Sequence, residues 1–175
     1  ANLRSFLDVA VGGALFTHLG LSCRFQVQAR MFSRPVIGPW LTKLGCIPTN
    51  REVREQAVAT SVATLEAGHA IAIMPEGRLV PAHERPDGVS AGRPGLSRIV
   101  RQTDALVVPV SCHGTDRVWP RGRPVPKTGL FGRHRVTVDL GSPLEFTSDD
   151  HQANVDMVMR TVAAMLAQRD QEQAS

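Results

Sequence analysis

Ala70-Ile71-Ala72-Ile73-Met74-Pro75-Glu76-Gly77-Arg78 is the stretch on which the fold turns. A short apolar run, residues 70–74, reads as a strand covered on both faces, as in a parallel sheet flanked by helices. It leaves Glu76 and Gly77 where a strand ends, the position at which α/β sheets place their ligands. Upstream, Asn50 can cap a helix that carries Val53, Ala57, Val58, Val62 and Leu65 on one face and stops at Gly68. Residues 24–31 alternate: Phe25, Val27, Ala29 and Met31 on one side, Arg24, Gln26, Gln28 and Arg30 on the other. That pattern predicts a half-buried strand. A short helix is predicted over residues 35–44, with Pro35 in its first turn and Gly45 ending it. Another is predicted over residues 5–15, capped by Ser5, with Gly12-Gly13 allowing close packing or a break.

Downstream, residues 81–93 form a polar loop punctuated by Gly and Pro. A helix near 95–102 precedes a strand over 106–111, and residues 136–140 alternate as another strand. Thr147-Ser148-Asp149-Asp150 matches a capping box for a last helix that buries Val155, Val158, Val162 and Met165. The polar stretch from Gln168 is expected to fray. Strands and helices alternate without a repeat or linker. The fold class is therefore α/β: a single domain over residues 1–167, a mostly parallel or mixed sheet flanked by helices, and a polar C-terminal tail at 168–175.

Charged residues at 21% and hydrophobic residues at 42% of 175 are ordinary for a globular chain, and the net charge is +4. The charge is unevenly placed. Residues 113–135 hold Arg117, Arg121, Arg123, Lys127, Arg133 and Arg135 against Asp116, whereas residues 136–175 are net acidic. The cluster reads either as a solvated loop or as a face for anionic lipid, with Trp119 and Phe131 as apolar anchors. Nucleic acid is disfavoured, because Pro and Gly interrupt the cluster and no aromatics interleave it. Cys23, Cys46 and Cys112 are isolated and odd in number, so neither a zinc site nor a disulfide framework is implied. Reduced thiols in a cytosolic compartment are the expectation. No secretory signal is present, and the apolar stretch 6–21 is broken by Asp8, Gly12-Gly13 and His18 and is too short to span a bilayer.

Four blocks carry a closer reading: Asn2-Leu3-Arg4-Ser5-Phe6-Leu7-Asp8, Gly45-Cys46-Ile47-Pro48-Thr49-Asn50-Arg51, Met74-Pro75-Glu76-Gly77-Arg78 and Val108-Pro109-Val110. In this order and spacing they resemble the motifs of the 1-acylglycerol-3-phosphate acyltransferases, glycerolipid O-acyltransferases of the lysophospholipid acyltransferase superfamily. Gly114-Thr115-Asp116-Arg117-Val118-Trp119-Pro120 and the strand near 136–140 also read like family segments. Any single motif is weak evidence; four in order are strong.

The resemblance implies a glycerol-3-phosphate acyltransferase-like fold and transfer of a fatty acyl group from acyl-CoA or acyl carrier protein to a lysophospholipid, in phospholipid biosynthesis. It implies an anionic membrane surface as partner, a cytoplasmic position at the inner face of the membrane, and no metal or cofactor beyond the acyl thioester. The family's first block reads Asn-His-x-x-x-x-Asp, and its histidine is the general base. Here Leu3 stands in that place and cannot accept a proton. Asp8 is the surviving partner, although Ser5-x-x-Asp8 is also a capping box that needs no catalysis. By resemblance Arg51, Glu76, Gly77 and Arg78 grip the acceptor and Pro109 helps line the acyl site. Arg51 opens a helix, where backbone N–H groups favour anions; Arg78 reads either as a phosphate contact or as an ordinary surface arginine. Because the family places a strand and a helical segment before its first block, an upstream segment is expected to be missing.

Leu3 opens the alternative of a catalytically inactive, lipid- or membrane-binding member. Among the six histidines, His113, just past Val108-Pro109-Val110, is the one to watch as a substitute base. A serine hydrolase of the α/β type is a third and disfavoured reading.

Overall fold

Strand β1 (Cys23–Gln28) lies between β2 (Ile47–Thr49) and β3 (Ala70–Ala72), all parallel, with Gln26 opposite Ile47 and Cys23 opposite Ala70. This arrangement comes from a computed structural model that describes residues 2, 5, 7–78, 81–85, 87–120 and 135–174. Leu3 and residues 121–134, which hold most of the basic cluster and Phe131, lie outside the described residues. A second sheet pairs β4 (Val110–His113) with β5 (Thr137–Leu140) in antiparallel register. The expected mostly parallel or mixed sheet is thus a parallel trio and an antiparallel pair.

Helices cover the parallel trio on both faces. Helix α1 (Leu7–His18) packs on one side, where Phe25, Leu41 and Cys46 form a cluster with Val9, Phe16, Val27, Ala72 and Met74. Gly12-Gly13 makes no break, and only Gly12 serves close packing: a Cβ there would stand 3.0 Å from the Phe25 ring, whereas Gly13 faces open space. On the opposite side lies α3 (Arg54–Glu66); Asn50 closes the turn before it rather than capping the helix itself, its Oδ1 accepting the N–H of Val53 at 2.8 Å. The polar side of β1 therefore does not face open water. Gln26 Nε2 donates to Ser61 Oγ at 2.8 Å, and that hydroxyl donates to the Ala57 carbonyl at 2.7 Å. The alternation holds only as far as Gln28, since Ala29–Met31 turns into a 3-10 helix instead of continuing the strand, and a helix with a buried serine covers the polar face.

Helix α2 (Ile37–Lys43) links β1 to β2, and α4 (Gly95–Val100) and α5 (Thr115–Val118) flank β4. The strand expected at 106–111 begins later, at Val110. Val107 makes a single bridge to Leu144, and Pro109 has no N–H to give the ladder, although its carbonyl accepts from Gly141 N at 2.9 Å.

Helix α6 (His151–Ala174) closes the second core, in which Val107, Val158, Val162 and Leu166 pack with Leu96, Val100, Leu144 and Phe146. Asp150 itself caps it, accepting from Gln152 N at 2.8 Å. Val155, Val158 and Val162 are buried as expected, while Met165 is only half-buried and Met159 and Leu166 complete the inner face. The helix runs on past Gln168 through Ala174. Its last turns are tied down rather than frayed: Arg169 pairs with Asp139 on β5 and Asp170 with His113 on β4. Gly92 lies so close to α6 that a Cβ there would meet Val155 Cγ1 at 2.4 Å, which fixes the 84–92 loop against this helix.

Candidate functional site

The parallel trio brings three of the four sequence blocks to one edge. Because β1 and β2 run side by side with Gln28 opposite Thr49, Arg51 follows the carboxyl end of β2. Residues 76–78 follow the carboxyl end of β3. Helix α1 descends antiparallel to β1, so its first turn, with Asp8, also sits at the carboxyl edge, where α/β sheets bind ligands. Met74, two residues before Glu76, packs in the same cluster as Val9 of α1.

The first block is locked to the second sheet. Asn2 is fully buried; its Nδ2 donates to the Cys112 carbonyl at 2.9 Å and its Oδ1 accepts from Cys112 N at 2.7 Å, like one more rung on β4. Ser5 Oγ donates to the Trp119 carbonyl at 2.7 Å. These contacts span more than a hundred residues and bring the Asn2–Asp8 block beside the strand that follows Val108-Pro109. Pro109 is fully buried, and Val108 is exposed. Leu3, between Asn2 and Ser5, lies outside the described residues.

Asp8 is buried, at 2% exposure, and completes a capping box. Its Oδ2 accepts the Ser5 N–H at 2.7 Å, while Ser5 Oγ accepts the N–H of Leu7 at 3.1 Å. The capping role is therefore present, whatever else the carboxylate does. It also faces Cys112: burial first, and then the Asp8 charge, push that thiol up to about 12. Burial likewise raises Cys23 to about 12 and lifts Cys46. Thiols held protonated at neutral pH are poor nucleophiles, so none of these cysteines is placed to carry an acyl group.

Glu76 is a second buried carboxylate, also 2% exposed. Its Oε2 accepts from Ser90 Oγ at 2.5 Å and from Ser90 N at 3.0 Å. Gly77 follows at φ +66°, in the left-handed region that favours glycine, and a Cβ there would press on Arg93 Nε at 3.2 Å. Gln28 Nε2 donates to the Gly77 carbonyl at 2.5 Å, and Arg93 N donates to the Pro75 carbonyl at 2.9 Å. Glu76 and Gly77 are thus held from three sides by Gln28, Ser90 and Arg93, none of which the motifs single out. Gln28 has a sequence signal, as a polar residue at the end of an alternating strand; Arg93 has none in a loop read only as polar.

Ser90 does have one. Gly88-Val89-Ser90-Ala91-Gly92 carries the Gly-x-Ser-x-Gly spacing of a hydrolase elbow, a signal that comparison with acyltransferase motifs alone passes over. Its context is wrong for that role. A 3-10 turn (Ala82–Glu84) precedes it instead of a strand, and the Ser90 hydroxyl is given to Glu76.

The two arginines differ from Glu76 in being exposed. Arg78 Nη2 pairs with Glu84 at 3.0 Å, and Arg51 stands on the capped turn before α3, with no hydrogen bond or ion pair to the other candidates among the described residues. Helix α3 begins at Arg54, so Arg51 precedes the helix rather than opening it. His113 is not a replacement base beside Asp8. It is buried on the α6 side of β4, its Nε2 2.6 Å from Asp170 Oδ1, whereas the neighbouring Cys112 faces Asp8. A surface cavity of about 340 Å³ lies between the 84–92 loop and α6 and is lined by Ser90, Gly92 and Met159. It adjoins Glu76 through Ser90, not Asp8. Among the described residues no cluster of His, Cys, Asp or Glu could hold a metal ion, and no helix is long and apolar enough to cross a membrane.

Comparison with known proteins points the same way as the four blocks. Residues 1–113 match the family model described as Acyltransferase. The chain is 24% identical over 157 residues to the chloroplastic 1-acyl-sn-glycerol-3-phosphate acyltransferase LPAT1 of Arabidopsis thaliana, covering 88% of this chain and 41% of that protein. It is 25% identical over 147 residues to the chloroplastic enzyme of the same name, BAT2, from Brassica napus, covering 82% of this chain and 39% of that protein. The chain thus spans about two fifths of the length of these curated relatives. The crystal structure of the 1-acyl-sn-glycerophosphate acyltransferase PlsC from Thermotoga maritima shares the fold with a TM-score of 0.70 at 19% identity, covering 97% of this chain and 64% of that one.

Proposed function

Since the chain belongs to the acyltransferase family, we propose that it moves a fatty acyl group from acyl-CoA or acyl carrier protein to a lysophospholipid such as 1-acylglycerol-3-phosphate, at the cytoplasmic, inner face of a membrane. The observation that carries this reading is the match of residues 1–113, which spans all four sequence blocks. In the reaction the acceptor hydroxyl oxygen attacks the thioester carbonyl carbon and gives up its proton to a base. The tetrahedral intermediate then collapses, expelling the thiolate, which is protonated as free thiol. Exposed Arg51 and Arg78, with Arg93 against Gly77, supply cations for the acceptor phosphate at the sheet's carboxyl edge. Glu76 and Gly77 shape its seat, and Pro109 borders the acyl chain. Asp8 holds the first turn of α1, and in the sequence Leu3 stands where the family's base belongs.

Leu3 favours a second reading, a member that binds lipid and membrane without turnover. Mass spectrometry of products separates the two. Phosphatidate formed only when acyl-CoA and lysophosphatidate are both present supports the transferase. Thioester loss without acceptor would point to a hydrolase, and substrate binding without any product to the inactive member.

A further inference from the structure

Helix α2 is built the wrong way out for a helix that only closes a core. Gly38 and Leu41 alone are buried. Gly38 meets the chain so tightly that a Cβ would stand 2.0 Å from the Phe32 carbonyl oxygen, which fixes the roll of the helix. Its other side shows Val36 at 81% exposure, Ile37 at 40%, Trp40 at 55% and Leu44 at 43%. At 100° per residue these four fall within an arc of about 100°, a continuous apolar stripe turned to solvent. Leu19 and Leu21, in the turn between α1 and β1, are exposed as well. Arg24 Nη1 donates to the Leu44 carbonyl at 2.8 Å and ties the strand after that turn to the end of α2.

The charge around the stripe is one-sided. Between Asp8 and Glu52 the chain has no carboxylate side chain, while Arg24, Arg30, Arg34, Lys43 and Arg51 fall in the same span. Arg30, Arg34 and Lys43 are exposed. The other exposed large apolar residues among the described ones, Leu106, Val108 and Leu140, lie near Asp104, Asp139 and Glu145 in the chain and lack this bias. An apolar stripe with a tryptophan, flanked by cations and with no acid in its own span of chain, is complementary to an anionic bilayer.

We propose that α2 and the 19–21 turn form the docking surface for an anionic lipid bilayer. Trp40 sits at headgroup level, Val36, Ile37 and Leu44 enter the acyl boundary, and Arg34 and Lys43 meet lipid phosphates. From the acyl-transfer reading this takes only the membrane as partner, and vesicle binding requires no turnover.

The chain has two tryptophans, so Trp119→Phe leaves Trp40 as the sole reporter. Vesicles of phosphatidylglycerol and phosphatidylcholine with brominated acyl chains are expected to quench it, phosphatidylcholine alone far less, and high salt to reverse the effect. In sedimentation with the mixed vesicles, Arg34→Gln with Lys43→Gln should lower partitioning on the order of 20-fold, about fivefold per cation. Trp40→Ala should weaken it too, with an unchanged thermal melt because the side chain is exposed. The proposal is overturned if vesicles do not bind the chain, or if they sediment it while Trp40 stays unquenched, which would move docking elsewhere, such as residues 117–135. Self-association abolished by Trp40→Ala, without vesicle binding, would overturn it in favour of a second copy. Acyl transfer to a short-chain soluble lysophosphatidate is measured alongside; its failure with quenching intact would sink the catalytic reading and leave this one standing.

Discussion

Ser90→Ala removes one hydroxyl and probes how Glu76 is held. The carboxylate is 2% exposed, and its Oε2 takes two bonds from Ser90, the hydroxyl at 2.5 Å and the backbone N–H at 3.0 Å. Hydrogen bonds to charged groups contribute about 1.5–3 kcal/mol net. The backbone bond survives the substitution and no clash or large cavity is created, so the loss is expected near the lower half of that range, about 2 kcal/mol. For a chain of this length that lowers Tm by about 4–8 °C. Urea unfolding followed by tryptophan fluorescence measures it, and Glu76→Gln completes a double-mutant cycle. Glu76 and Ser90 in contact predict a coupling of roughly 0.5–3 kcal/mol. Strictly additive single losses, or a Ser90→Ala loss within the ~0.5 kcal/mol typical of surface changes, would refute the claim that Ser90 holds the buried carboxylate.

Three further outcomes follow from the same geometry. Asp8→Ala should cost about 1 kcal/mol by removing the bond to Ser5 N, while Asp8→Asn, which keeps an acceptor oxygen, recovers most of it; melts of the two variants decide. Because Cys112 is raised by burial to about 12, the folded state keeps its proton where the unfolded chain loses it. Its contribution is full below about pH 9 and lost as pH climbs toward 12, at up to ~1.4 kcal/mol per pH unit, and Cys112→Ala should flatten that alkaline decline in urea titrations. His113→Gln should loosen the end of α6, read as faster amide exchange near Asp170, yet leave acyl-transfer kinetics unaltered apart from stability.

Much of the fold was legible because it rests on local patterns. The alternation from residue 24 up to Gln28, the start of the apolar run at Ala70–Ala72 and the spaced valines of α6 each encode one element and its inward face, although the first pattern runs on into the 3-10 helix Ala29–Met31. What the sequence hid was non-local or inverted. Gln26 reads as solvent-facing until α3 covers it with Ser61. The strand near 106–111 slips to Val110–His113 because Pro109 withholds an N–H, and α6 outlasts its polar tail because Arg169 and Asp170 find partners on β5 and β4. For the candidate site, the motifs named Asp8, Glu76 and Gly77, and chain direction in a parallel sheet explains why they share an edge with Arg51. The supports, Gln28, Ser90 and Arg93, are set by contacts between segments tens of residues apart, which no local pattern reveals. The apolar stripe of α2 was hidden for the opposite reason: a helix pattern marks an apolar face, and nothing local says whether that face turns inward or out.

On the reading proposed above, leucine stands at position 3 where the family carries its base. The direct measurement is free-thiol release from acyl-CoA in the presence of lysophosphatidate, compared between the Leu3 chain and Leu3→His. General-base catalysis contributes about 10²–10⁴-fold, so the histidine form should exceed the leucine form by that order, with acceptor binding similar in both. Brisk turnover by the leucine form, or no gain in a histidine form that binds both substrates normally, would contradict it.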